Sequence, residues 1–184
     1  MPPLPDELDS ILARYRGSFQ VKVHNEENED HDLLMDAFGI SPELKRENRQ
    51  YWGRELGMCW QLLVIAVCRA TCADFSKATK YGQDEPFDLS VGKTAIDTKY
   101  RIGSGDSGTL KKFRAYGPML RASGLDPLLL ILRKDNLPAA ITAVRSGGWS
   151  VVTGDASFNY LRDLTGFDLA AFLTEKAEAY GFHH

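Results

Sequence analysis

The run Pro127-Leu128-Leu129-Leu130-Ile131-Leu132-Arg133 is apolar at every position but its last. It shows no alternation, so as a strand it must be covered on both faces. That requirement dictates the architecture: a sheet with helices layered on either side. The chain supplies such helices. Residues 48–74 carry Trp52, Leu56, Cys59, Trp60, Leu63 and Val67 at three- and four-residue spacing, and LLVIAVC within them is apolar nearly all round. This predicts a long buried helix. Helical patterns also cover 6–16 and 31–38, the second stopped by Gly39, and Ser41-Pro42-Glu43 is a start signal for the next helix.

Strands are predicted at 86–91, 94–102, 127–133, 138–145 and 149–153. A helix is predicted from Thr109 to about 122, interrupted or kinked near Gly117-Pro118, and two more at 155–164 and 168–180. The expected class is α/β or α+β, with a central mixed β-sheet flanked by helices in a single domain over 1–184.

Three cysteines, Cys59, Cys68 and Cys72, fall in one apolar segment. An odd count there argues for buried thiols rather than a disulfide framework, and too few ligands lie nearby for zinc. No apolar run reaches the ~18 residues of a membrane span. The opening MPPLPDELDS lacks the pattern of a signal peptide, so the expected location is cytoplasmic and no membrane partner is expected. His24 and His31 flank the acidic run 26–30, and His183 and His184 end the sequence.

The net charge of −3 conceals segregation. Residues 1–44 carry −7, residues 45–145 carry +7, and residues 146–184 carry −3. A basic middle is the composition that neutralises a polyanion such as DNA.

Within that middle lie Pro86-Phe87-Asp88 and, after eight intervening residues, Asp97-Thr98-Lys99. With Gly92-Lys93 as a two-residue turn, Val91 faces Thr94, Ser90 faces Ala95 and Leu89 faces Ile96. The same register sets Asp88 opposite Asp97, and Lys99 shares the face of Asp97. Opposed carboxylates repel in an ordinary sheet, so a compensating cation is expected. Hard oxygen donors suit Mg²⁺, with the Thr98 carbonyl as a further ligand. Lys99 then orients a water or stabilises the charge of a phosphoryl transition state.

These residues resemble the PD-(D/E)xK nuclease superfamily, with Pro86-Phe87-Asp88 in place of Pro-Asp. The longer string from Asp97 to Thr109, with Arg54-Glu55-Leu56-Gly57, is similar to type II restriction endonucleases of the ApaLI-like group. The resemblance implies a restriction-endonuclease-like core and Mg²⁺-dependent cleavage of double-stranded DNA at a short palindrome by a homodimer. It also implies that Glu55 joins Asp88 and Asp97 as a third acidic residue, ligating the metal directly or through water. Candidate DNA contacts are Arg101, Ser104 and Ser107 around the glycine-rich loop, and Lys111, Lys112 and Arg114 in the helix after it. The same loop, Gly105-Asp106-Ser107-Gly108, matches a serine-protease nucleophile box over four residues only, with no sign of a histidine partner. Two other functions share these features: a structure-specific repair or recombination nuclease, and a DNA-binding module without catalysis.

Overall fold

Three of the four cross-strand pairs predicted for the hairpin form. Val91 pairs with Thr94, Ser90 with Ala95 and Leu89 with Ile96. Gly92 turns it at φ +54°, while Lys93 keeps a negative φ. A left-handed first position alone is the type II′ pattern, which glycine adopts without steric cost. The computed structural model describes residues 3–20, 32–41, 45, 49–102 and 107–180. The acidic run 26–30, Ser104, His24, His31, His183 and His184 lie outside these residues.

One mixed sheet holds, in order, β1 (Phe75–Lys77), β2 (Leu89–Val91), β3 (Thr94–Lys99), β4 (Asp126–Ile131) and β5 (Ser150–Thr153). The β1–β2 and β2–β3 pairs are antiparallel, and β3–β4 and β4–β5 are parallel. The class is therefore α+β. The sequence did not reveal β1, because three residues are too short for alternation to register.

The apolar run 127–133 supplies most of β4, which is buried on both faces. Leu128, Leu130 and Leu132 enter one core cluster, and Leu129 and Ile131 enter the other. The first face is covered by α3 (Arg49–Thr71), whose Trp60, Leu63 and Val67 are fully buried. Around α3 pack α1 (Leu4–Gln20), α2 (Leu33–Phe38), α6 (Asp155–Thr165) and α7 (Leu169–Tyr180). The second face is covered by α4 (Ser107–Ala122) and α5 (Pro138–Ser146), through Phe113, Leu120, Ala140 and Val144. Among the described residues no helix is long and apolar enough to cross a membrane.

One expectation fails here. Residues 138–145 form α5, not a strand. Parallel β4 and β5 need a crossover between them, and Pro138 at the first turn with Ala140, Ala143 and Val144 on one buried face supplies a helix. Of the two alternatives at Gly117-Pro118, the interruption is excluded, since α4 continues through Pro118 to Ala122.

Gly117 lets α4 approach the end of α5. A Cβ there would lie 1.8 Å from the Gly147 carbonyl oxygen, a backbone atom that cannot swing aside. Gly117→Ala is expected to cost about 2 kcal/mol by overpacking. Gly53, inside α3, has nothing within 4 Å of a new Cβ, so Gly53→Ala should stabilise by about 0.5–1 kcal/mol through helix propensity. Urea unfolding of both variants checks the opposite signs.

The charge segregation of the sequence is partly cancelled in space. Glu7 pairs with Arg69, Asp9 with Lys176 at 3.2 Å, and Asp32 with Arg133 at 3.3 Å. Some of the basic middle thus holds the acidic N-terminal segment in place and is not available to a polyanion.

Burial governs the thiols. Cys59 and Cys68 are buried and Cys72 half-buried, all three free. Burial raises the Cys59 thiol and pushes Cys68 up to about 12, so both stay protonated, structural thiols at neutral pH.

Candidate active site

On β3, alternation sends Ala95, Asp97 and Lys99 toward α4, and Ile96 and Tyr100 toward α3. Asp97 and Lys99 form a close ion pair: Lys99 Nζ lies 2.8 Å from Oδ2 and 3.0 Å from Oδ1 of Asp97. Lys99 Nζ also donates to the Thr98 carbonyl at 3.1 Å. Asp97 is only 7% exposed. Burial is the main reason its carboxyl is raised to about 7; Lys99 opposes the rise and Asp88 adds to it. For Lys99, burial alone would lower the ammonium, but Asp97, with Asp88 beyond it, outweighs that and raises its pKa. Lys99 is therefore a cation at neutral pH, suited to stabilising negative charge rather than to accepting a proton.

Asp88 departs from the predicted geometry. The ladder between β2 and β3 stops at Leu89 and Ile96, and the Asp88 N–H donates to the Ile96 carbonyl at 2.9 Å. Alternation breaks at this point, since Phe87 joins the α4-side core while Leu89 joins the α3-side core. The Asp88 carboxylate consequently does not stand directly across from Asp97 on a shared face. It sits at the edge of β3, where Oδ2 accepts the Thr98 N–H at 2.7 Å and the Thr98 hydroxyl at 2.6 Å. The two aspartates remain near enough for Asp88 to act electrostatically on both Asp97 and Lys99.

Glu55 does not join them. Its carboxylate pairs with the Arg54 Nε at 3.0 Å and is one of the charges acting on Tyr15, on the α1 side of α3. The α3 side chain that reaches the hairpin is Gln61, whose Nε2 donates to Asp88 Oδ1 at 2.7 Å. Sequence reasoning passed over Gln61. The signal was present, since it is the one polar side chain between Cys59 and Arg69.

Asp97 and Lys99 open into a cleft of about 460 Å³. One wall is the segment between β1 and β2, with Lys80, Glu85 and Pro86; the other is α4, with Thr109, Lys112 and Tyr116. Lys112 lines the cleft, 4.0 Å from Asp84, and Lys111 and Arg114 are exposed on the same helix. Ser107 begins α4. Arg101 is turned away from this group: its Nε donates to the Asp135 carbonyl at 2.7 Å and lies 3.0 Å from the Asp135 carboxylate. A larger cavity, about 630 Å³, lies past the carboxyl ends of β4 and β5 and is lined by Asp32, Arg133, Gly154 and Phe158. It contains neither the aspartates of the hairpin nor Lys99.

Among the described residues, no three His, Cys, Asp or Glu side chains are grouped so as to hold a metal. The donors at the hairpin are two carboxylates and the Thr98 carbonyl, all hard oxygens. That set fits an ion that takes one or two carboxylates and keeps much of its water, as Mg²⁺ does, and does not fit an all-protein cage. No family model, no curated protein and no solved structure matches the chain.

Proposed function

We propose that the protein is a Mg²⁺-dependent endonuclease of double-stranded DNA. The observation that carries this reading is a buried Asp97 in contact with a cationic Lys99, with the Asp88 carboxylate at the adjoining strand edge. Asp88, Asp97 and the Thr98 carbonyl would hold the ion. A divalent cation bound there would acidify a water and polarise the scissile phosphate. Lys99 offsets the negative charge that builds on the phosphate oxygens as the bond breaks. Lys80 and Lys112 line the cleft walls, and Lys111 and Arg114 extend the positive surface along α4, where they meet flanking phosphates. The finer reading is a type II restriction enzyme on a restriction-endonuclease-like core, cutting a short palindrome as a homodimer. It rests on the resemblance of the string from Asp97 to Thr109, and on the symmetry by which two equivalent scissile bonds call for two subunits.

Digestion of a large plasmid of known sequence tests this. Discrete fragments are expected in Mg²⁺ and none with a chelator. Cleavage confined to junctions or damaged sites would assign the chemistry to repair instead. Intact plasmid with Mg²⁺ across a range of salt and enzyme concentrations would overturn the nuclease reading.

A further inference from the structure

We infer that Gln61 and Thr98 form a clamp that positions Asp88 as a single-bond metal ligand; the inference rests on the nuclease reading above. An ionised carboxylate offers about four acceptor sites. Three are taken in the structure: two on Oδ2 by the Thr98 N–H and hydroxyl, and one on Oδ1 by Gln61. The remaining site is on Oδ1. Asp88 can thus give one bond to a cation without breaking any contact, and a bidentate grip would require Thr98 to let go. Three donors from two elements also fix the carboxylate's rotation and place, which two oxygens on a free side chain would not have. The cost of this arrangement is visible in α3, where Gln61 interrupts an otherwise apolar stretch. Partners that orient a ligand in this way typically govern metal affinity about tenfold to a hundredfold.

Titration calorimetry with Mn²⁺ alone, in the absence of DNA, separates this role from a purely structural one. Gln61→Met keeps the volume of the side chain and removes the donor. The expected result is Mn²⁺ affinity weakened about tenfold or more, with the metal-free melting temperature close to that of the parent protein. A merely structural Gln61 gives the reverse, a lower melting temperature with unchanged affinity in the folded protein, and that result would falsify the inference. If the Met variant does not fold, Gln61→Asn withdraws the amide by one methylene and carries the same expectation; parent-like affinity there overturns the clamp. Should the parent protein itself bind no Mn²⁺, the nuclease reading falls and takes the clamp with it. Parent binding with unaffected variants sinks the clamp alone.

Discussion

Asp97→Asn should eliminate Mg²⁺-dependent cleavage and, at pH 8, make the protein harder to unfold. On the proposed reading, loss of a carboxylate from the metal-binding set, beside the cation that would offset the developing charge, is worth on the order of a thousandfold or more in rate. On the proposed reading DNA binding should persist, because Lys80, Lys111 and Lys112 are untouched. The stability gain follows from linkage. The Asp97 carboxyl titrates near 3.8 when exposed and near 7 in the folded protein, mainly because it is buried. Between those values the folded protein holds a proton that the unfolded chain has released. Stability present below about pH 3.8 is therefore lost as the pH rises to about 7, at about 1.36 kcal/mol per unit, on the order of 4 kcal/mol in all. Asparagine has no proton to lose. In chelator, urea unfolding of the variant and the parent should nearly coincide near pH 4 and separate progressively toward pH 8. A variant that is less stable at pH 8, or equally displaced at both ends, would show that Asp97 carries no such burden. The site trades stability for an ionised carboxylate in a buried place.

The second large effect lies on the opposite face of the sheet. Asp32 is the N-cap of α2, accepting the Leu34 and Met35 N–H groups at 3.0 Å each. Its other oxygen accepts the Tyr100 hydroxyl and the Arg133 guanidinium, with the Lys45 ammonium 4.0 Å away. Lys45 in turn donates to the Tyr100 hydroxyl at 2.5 Å and lies over its ring at 4.7 Å. Burial and then the Asp32 charge raise the Tyr100 phenol far above its usual value, so it remains a donor at any ordinary pH. Asp32→Ala removes a carboxylate that Lys45 and Arg133 share, leaving Arg133 its Asp135 partner at 2.7 Å, and is expected to cost roughly 3 kcal/mol, with about 1 kcal/mol more for the cap. Asp32→Asn keeps the cap and should be milder by that last amount. Equilibrium unfolding in urea measures both; an alanine variant within about 1 kcal/mol of the parent would show that the pairing contributes little.

What was legible in the sequence was what repeats locally. The hairpin register followed from the glycine turn and the pairing of Leu89, Ser90 and Val91 with Ile96, Ala95 and Thr94. The double burial of β4 followed from six residues without a polar interruption before Arg133, and the length of α3 from its stripe. The failures occur where a longer-range partner wins. A period-two argument carried Asp88 one pair too far, because it does not count a side chain that competes with a backbone carbonyl for the Thr98 N–H. Residues 138–145 contain Ile141, Thr142 and Val144, which favour strands, but the crossover between two parallel strands overrides that preference. The contact of Asp32 with Tyr100 spans 68 positions, and nothing local in either segment encodes it. Glu55 and Gln61 lie six residues apart on α3, so a helical turn alone decides which one meets the hairpin, and it chooses the amide.

The early parting of β2 from β3 has a bearing on which substitution should test the proposed activity. An unpaired strand edge is a template on which another chain can add. Beyond Ile96 the edge of β3 would be such a template, were it not for the Asp88 carboxylate standing where the next strand's carbonyl would be. Asp88→Ala strips that cover from Thr98, so any loss of the proposed activity there would come with a surface that invites self-association. Asp97 faces the cleft and guards no edge, which makes it the position for an inactive protein that stays monodisperse.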